Sequence, residues 1–154
     1  MNSIRDKVWG TIFDLADALD KEQFVDFVGL CAPEFKYRIC TYSPELRKDM
    51  VLMEQTREEL ASLFTNLSQH VRMIGSFSRQ LAVGKLSPAG EDQKKFIAIS
   101  PFTVYYTDIE GVSRVYAVGR YIDRLHVAEE QVLLEAREVR LDTRDLSPGC
   151  HVPL

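Results

Sequence analysis

The sequence predicts an α+β domain in which N-terminal helices pack on a strongly curved, mainly antiparallel sheet. Three observations carry that expectation. Apolar residues recur at helical spacing only in segments that precede Leu67. From Lys94 to Thr143 the chain reads instead as three long strands joined by two tight connections. Those strands exceed the usual length of about five or six residues, so the sheet is large and must curve. One of its faces then needs a cover, and the helices at the front of the chain supply it.

In chain order, Ile4, Val8, Ile12, Leu15, Ala16 and Leu19 form an apolar stripe widened by Trp9 and Phe13, with Asp6, Asp14 and Asp17 on the other side. This is an amphipathic helix that lies on something. Asp20 reads as the N-cap of a short second helix, with Gln23 as its capping-box partner and Gly29 as its end. Beyond Pro33, Phe35, Tyr37, Ile39 and Thr41 alternate with Lys36, Arg38, Cys40 and Tyr42, a strand with one wet face. A loop is expected from Ser43 to about Val51, then a third helix from Met53 to Asn66.

His70 to Gly75 reads as a connection, Ser78 to Leu86 as a strand, and Ser87 to Asp92 as a hairpin loop. The strand from Lys95 to Tyr106 is apolar and aromatic on both faces and breaks at Asp108-Ile109-Glu110-Gly111. The next runs from Ser113 to Arg124 and stops by Ala128-Glu129-Glu130; the last runs from Gln131 to Asp142. The whole is expected to be a single domain spanning 1–154, with a tail from about 146 to 154 that extends away from the body. Helices first and a meander behind give a cone-like fold of the nuclear-transport-factor-2 type.

Composition excludes several classes of function. Net charge is −4 and no basic stripe with interleaved aromatics appears, so nucleic acid is not the expected partner. No apolar run approaches the roughly 20 residues of a membrane span. Met1 to Lys7 lacks the apolar core of a secretory signal, and Cys31, Cys40 and Cys150 form no disulfide framework. A cytoplasmic location is expected. Glycine-rich phosphate loops, nucleophile elbows and metal-ligand spacings are missing from the sequence.

Asp123 and His126 are the one tempting acid–base pair, since a cone can bury such groups and tune them. The plainer reading, and the weightier, is that both cap a hairpin. His70 falls in the connection and His151 in the tail, where a catalytic group would be poorly held. Along the last strand Glu135, Arg137, Glu138, Arg140, Asp142 and Arg144 mix both signs of charge. They read equally as solvated ion pairs or as a polar rim that docks another chain. On the second reading Tyr105, Arg120, Arg137 and Arg140 are the subunit-interface candidates. Reversing Arg137 or Arg140 is then expected to weaken assembly and spare the fold.

Gly119-Arg120-Tyr121-Ile122-Asp123-Arg124-Leu125, followed by Leu134-Glu135-Ala136-Arg137-Glu138-Val139-Arg140-Leu141-Asp142-Thr143, resembles the closing strands of the small (β) subunit of Rieske-type aromatic-ring-hydroxylating dioxygenases. Asp20 to Tyr37 and the terminal Val152-Pro153-Leu154 are similar to that family too. The resemblance implies that this chain holds no catalytic residue, cofactor or metal. The large (α) subunit would carry the Rieske two-iron two-sulfur cluster and the mononuclear iron, and small subunits would hold large ones together in an α3β3 hexamer. The alternatives are a free-standing cone-fold isomerase, dehydratase or hydrolase using Asp123 or another cavity carboxylate with a tyrosine, or a module that binds a small apolar ligand.

Overall fold

The computed structural model describes residues 3–66, 75–91, 93–129, 131–146 and 154. Its elements run α1 (Ile4–Asp20), α2 (Phe24–Gly29), β1 (Cys31–Ser43), β2 (Lys48–Thr56), α3 (Arg57–Asn66), β3 (Ser76–Leu81), β4 (Lys85–Pro88), β5 (Lys95–Thr107), β6 (Ser113–Ala128) and β7 (Gln131–Leu141). The expected α+β cone is what forms. All seven of these strands join one sheet in the order β2-β1-β7-β6-β5-β3, with β4 also on β5. Of their pairings, β1 with β7 is parallel and the others are antiparallel.

Curvature has a local cause. The register slips between Ile39 and Cys40, between Val104 and Tyr105, and between Arg124 and Leu125. Each such bulge adds a residue to one strand and sharpens the twist. The helices fill the concave side. Val8, Trp9, Ile12, Leu15 and Leu19 of α1 meet Phe35, Tyr37, Phe102, Val104, Tyr121, Leu125 and Val139 in one buried cluster. Ile4 and Phe13, expected in the same stripe, stay exposed at its margins.

Helix starts are set by side chains close in sequence. Ser3 Oγ accepts from the Asp6 amide while Asp6 accepts from the Ser3 amide. Thr56 and Glu59 form the same reciprocal cap, which starts α3 at Arg57 and not at Met53. The stretch expected to be loop and then helix before Arg57 instead contains the edge strand β2, paired to β1. Nearly every β2 position is exposed, so no buried periodicity marks it.

Other expectations are corrected. Asp20 does not cap α2, whose N-cap Gln23 makes no side-chain hydrogen bond. Its carboxylate instead accepts from the Arg79 amide and from Arg79 Nη1 at 2.7 Å, tying the end of α1 to β3. The strand expected from Ser78 to Leu86 is broken at residues 82–84. A Cβ on Gly84 would collide with the Ile99 carbonyl, so the backbones meet closely there. The tail does not simply leave the body, for Leu154 is 1% exposed and its carbonyl accepts from Tyr37 Oη at 2.9 Å. The connection around His70 and the tail residue His151 lie outside the described residues.

Candidate functional site

Alternation along β6 and β7 divides the residues of the final strands between two faces. Gly119, Tyr121, Asp123 and Leu125 of β6, with Arg137, Val139 and Leu141 of β7, are all buried and point toward the helices. Tyr121 stacks on Phe102 with ring centroids 4.3 Å apart. Asp123 and Arg137 are register partners and join in a fork, Nε to Oδ1 at 2.8 Å and Nη2 to Oδ2 at 2.9 Å. Both side chains are 0% exposed. The guanidinium also lies over Tyr121, with Cζ 4.0 Å from the ring centroid.

This buried pair is structural in its chemistry. Burial opposes the charge on Arg137, but the Asp123 carboxylate outweighs it and holds the guanidinium firmly protonated. Each Asp123 oxygen accepts from that guanidinium and the carboxylate is fully enclosed, so no substrate proton lies within its reach. His126 is three residues further along β6, where alternation turns it to the opposite face. The acid–base pair is therefore not assembled, and Asp123 does not cap a hairpin either. Burial pushes the Tyr37 and Tyr121 hydroxyls upward in pKa, away from any role as ionised bases.

The outer face carries the charges expected to dock a partner. Arg140 holds Asp49 of β2 in a second fork, at 3.0 and 2.8 Å, and reaches Glu138 at 3.4 Å. The fork stitches β7 to β2 across β1, and the hydrogen bonds from Arg140 hold Asp49 below the usual carboxylate range. Arg38 approaches Glu138, Lys95 approaches Glu135, and Arg144 bonds Glu45. Arg120 stands exposed on β6, in register with Arg140 and Pro101, and Tyr105 is half-buried on the outer side of β5.

Of the four interface candidates, Arg120, Arg140 and Tyr105 thus point outward, and Arg137 does not. Its placement is a correction with a plain cause: one residue of shift along a strand exchanges solvent for core, and a fully enclosed guanidinium can touch no partner. Sequence reading passed over Arg124 and Asp49. The alternation that placed Arg120 outward could have found Arg124; nothing local announces that Asp49 lies beside Arg140.

Among the described residues no group of three or more His, Cys, Asp or Glu could hold a metal ion. Cys31 and Cys40 are both buried and both free. No helix of the described residues is long and apolar enough to cross a membrane. A groove of about 460 Å³ lies between α2 and α3, lined by Phe24, Val28, Ala61 and Phe64 among others, outside the cone interior.

No family model matches the chain. Among characterised proteins it is 32% identical over 143 residues to the β subunit of 2-aminobenzenesulfonate 2,3-dioxygenase from an Alcaligenes species, covering 93% of this chain and 94% of that one. It is 29% identical over 157 residues to the hydroxylase β subunit of methanesulfonate monooxygenase from Methylosulfonomonas methylovora, covering 97% and 86%. Among solved structures it is similar to the β subunit of a candidate aromatic-ring-hydroxylating dioxygenase from Novosphingobium aromaticivorans, at a TM-score of 0.78 and 17% identity over 96% and 95% of the two chains. A candidate scytalone dehydratase from the same organism shares the fold at a TM-score of 0.65 and 14% identity, over 89% and 83%. The structural likenesses therefore speak to the fold alone.

Proposed function

The chain belongs to the family of small (β) subunits of Rieske-type aromatic-ring-hydroxylating dioxygenases, and we propose that it acts there as the scaffold that holds iron-containing large subunits in place. The observation that carries this reading is the end-to-end match to a dioxygenase β subunit. In this role the large subunit holds the Rieske two-iron two-sulfur cluster and the mononuclear iron, which supply electron transfer and oxygen activation. This chain supplies shape and contact area. Outward-facing Arg120, Arg140 and Tyr105 belong to the subunit contacts, and the assembly is an α3β3 hexamer. The names of both relatives contain a sulfonate, so an organosulfonate is the first substrate class to test on the assembled enzyme.

A free-standing cone-fold isomerase or dehydratase would need an available carboxylate inside the cone. The interior position read as its base, Asp123, is occupied by Arg137.

Co-expression tests the proposal. A tagged copy of this chain is expected to carry an untagged large subunit, with its iron and brown colour, through purification in equal molar amounts. Sedimentation of that complex should give the mass of three chains of each kind. The isolated small subunit should be colourless and inactive; a sample that turns over substrate unaided, or holds stoichiometric iron, would overturn the reading.

A further inference from the structure

The convex side of the sheet is not built as a face for water. Helices α1, α2 and α3 pack on the concave side, and none of them covers the other. A solvated face of an antiparallel sheet carries polar side chains at its outward positions. On β5 and β6 those positions hold Ile97, Ile99, Pro101 and Tyr105, with Val118 and Ile122 beside them and Thr103 as a small polar interruption. Ile99 faces Ile122 in register and Pro101 faces Arg120, so the apolar groups form a strip along two central strands.

Charge is distributed unevenly around that strip. Toward β7, β1 and β2 the ions cancel within the chain, through Arg38 and Arg140 with Glu138 and Asp49. Arg120 and Arg124 differ. Both are exposed, they flank Ile122 on the same face of β6, and neither has a carboxylate partner among the described residues. Asp142 is a carboxylate at the Val118 end of the strip, remote from Arg124 along β6.

This pattern discriminates between two kinds of occupant. A second copy of the chain, docked about a two-fold axis through Ile122, would set Arg120 of each copy against Arg124 of the other. Like charges directly opposed are destabilising, and Glu138, the carboxylate in register with Ile122, is already engaged by Arg38 and Arg140 of its own chain. A different protein with an apolar ridge flanked by carboxylates meets both requirements. We infer that the β5–β6 strip is the seat of the large subunit, whose apolar ridge lies on Ile99, Pro101 and Ile122 and whose carboxylates lie opposite Arg120 and Arg124. The inference rests on the assembly proposed above and names the surface and the partner chemistry.

The test uses the co-expressed complex, with a tag on the small subunit. R120E/R124E is expected to lower retention of the large subunit by at least about tenfold. R120K/R124K, which keeps the charge, should retain most of it. The thermal midpoint of the isolated small subunit should be the same in wild type and both variants, since both side chains are exposed. R120S/R124S serves as a milder variant if the reversal perturbs folding, and should also lose retention. Wild-type retention by folded R120E/R124E would overturn the strip as the seat while leaving the assembly intact. A variant that keeps the large subunit but loses self-association of small subunits would overturn it in favour of a contact between copies. If the wild-type chain itself fails to retain the large subunit, the assembly reading fails first and this inference falls with it.

Discussion

A guanidinium buried without its carboxylate costs about 3–5 kcal/mol, whereas removing both partners for apolar groups of similar size is often close to neutral. Asp123→Asn and Arg137→Met are therefore each expected to lower the urea-unfolding free energy by roughly 3 kcal/mol, with D123L/R137M recovering most of the loss. Additive losses in that cycle would mean the two side chains are not coupled as the fork requires. The same placement overturns the expectation that reversing Arg137 spares the fold. Cys31 offers a second residue-scale check. Burial, only partly offset by Arg137, pushes its thiol up from 9.0 to about 12. The unfolded chain then gives up this proton at lower pH than the folded one, so its stabilising contribution is complete below about 9 and is lost as pH rises through about 12. Cys31→Ala should flatten the fall in stability across that window, whatever its effect at neutral pH; an unchanged slope would show that the thiol is not the group responsible.

At the scale of elements, the strands of the resembling motif are explained by their inward positions. Gly119 is there because β6 and β7 approach closely. A Cβ at that position would collide with the Arg140 carbonyl and meet Leu141 Cα at 3.0 Å. Gly119→Ala is expected to cost about 1–3 kcal/mol through forced separation of the strands. Gly10, exposed in the middle of α1, would have nothing within 4 Å of an added Cβ and so serves as the control. Gly10→Ala should stabilise by about 0.5–1 kcal/mol through helix propensity. Thermal unfolding of the two variants should therefore shift in opposite directions; a shift of Gly119→Ala upward would contradict the close approach. The edge strand β2 was not legible because nearly all its residues are exposed and Met53-Glu54-Gln55 suit a helix as well. The Thr56–Glu59 capping box was present in the sequence and marks the true start of α3; the apolar Met53 upstream drew the expected boundary too far forward.

At the scale of the molecule, scaffolding and surface chemistry depend on which residues share a face. The α+β class, the order of most helices and strands, and the final strand pair with its family resemblance were all legible in the amino-acid order. They rest on periodicity, turn residues and local spacing, which neighbours along the chain carry by themselves. The parallel pairing of β1 with β7, the pairing that makes β2 a strand, and the return of Leu154 to Tyr37 were not legible. The first and last join segments far apart in sequence, and the second depends on a partner strand that local spacing does not name. The same holds for the sorting of four arginines: alternation makes Arg120 and Arg124 outward once the register is known, and makes Arg137 inward, but Arg140 gains Asp49 only through the fold. The chain's own order determined what kind of domain this is and which family it resembles. Only the tertiary structure decided which charges are matched inside the domain and which remain to meet a partner, since a charge is neutralised by whatever lies beside it in space.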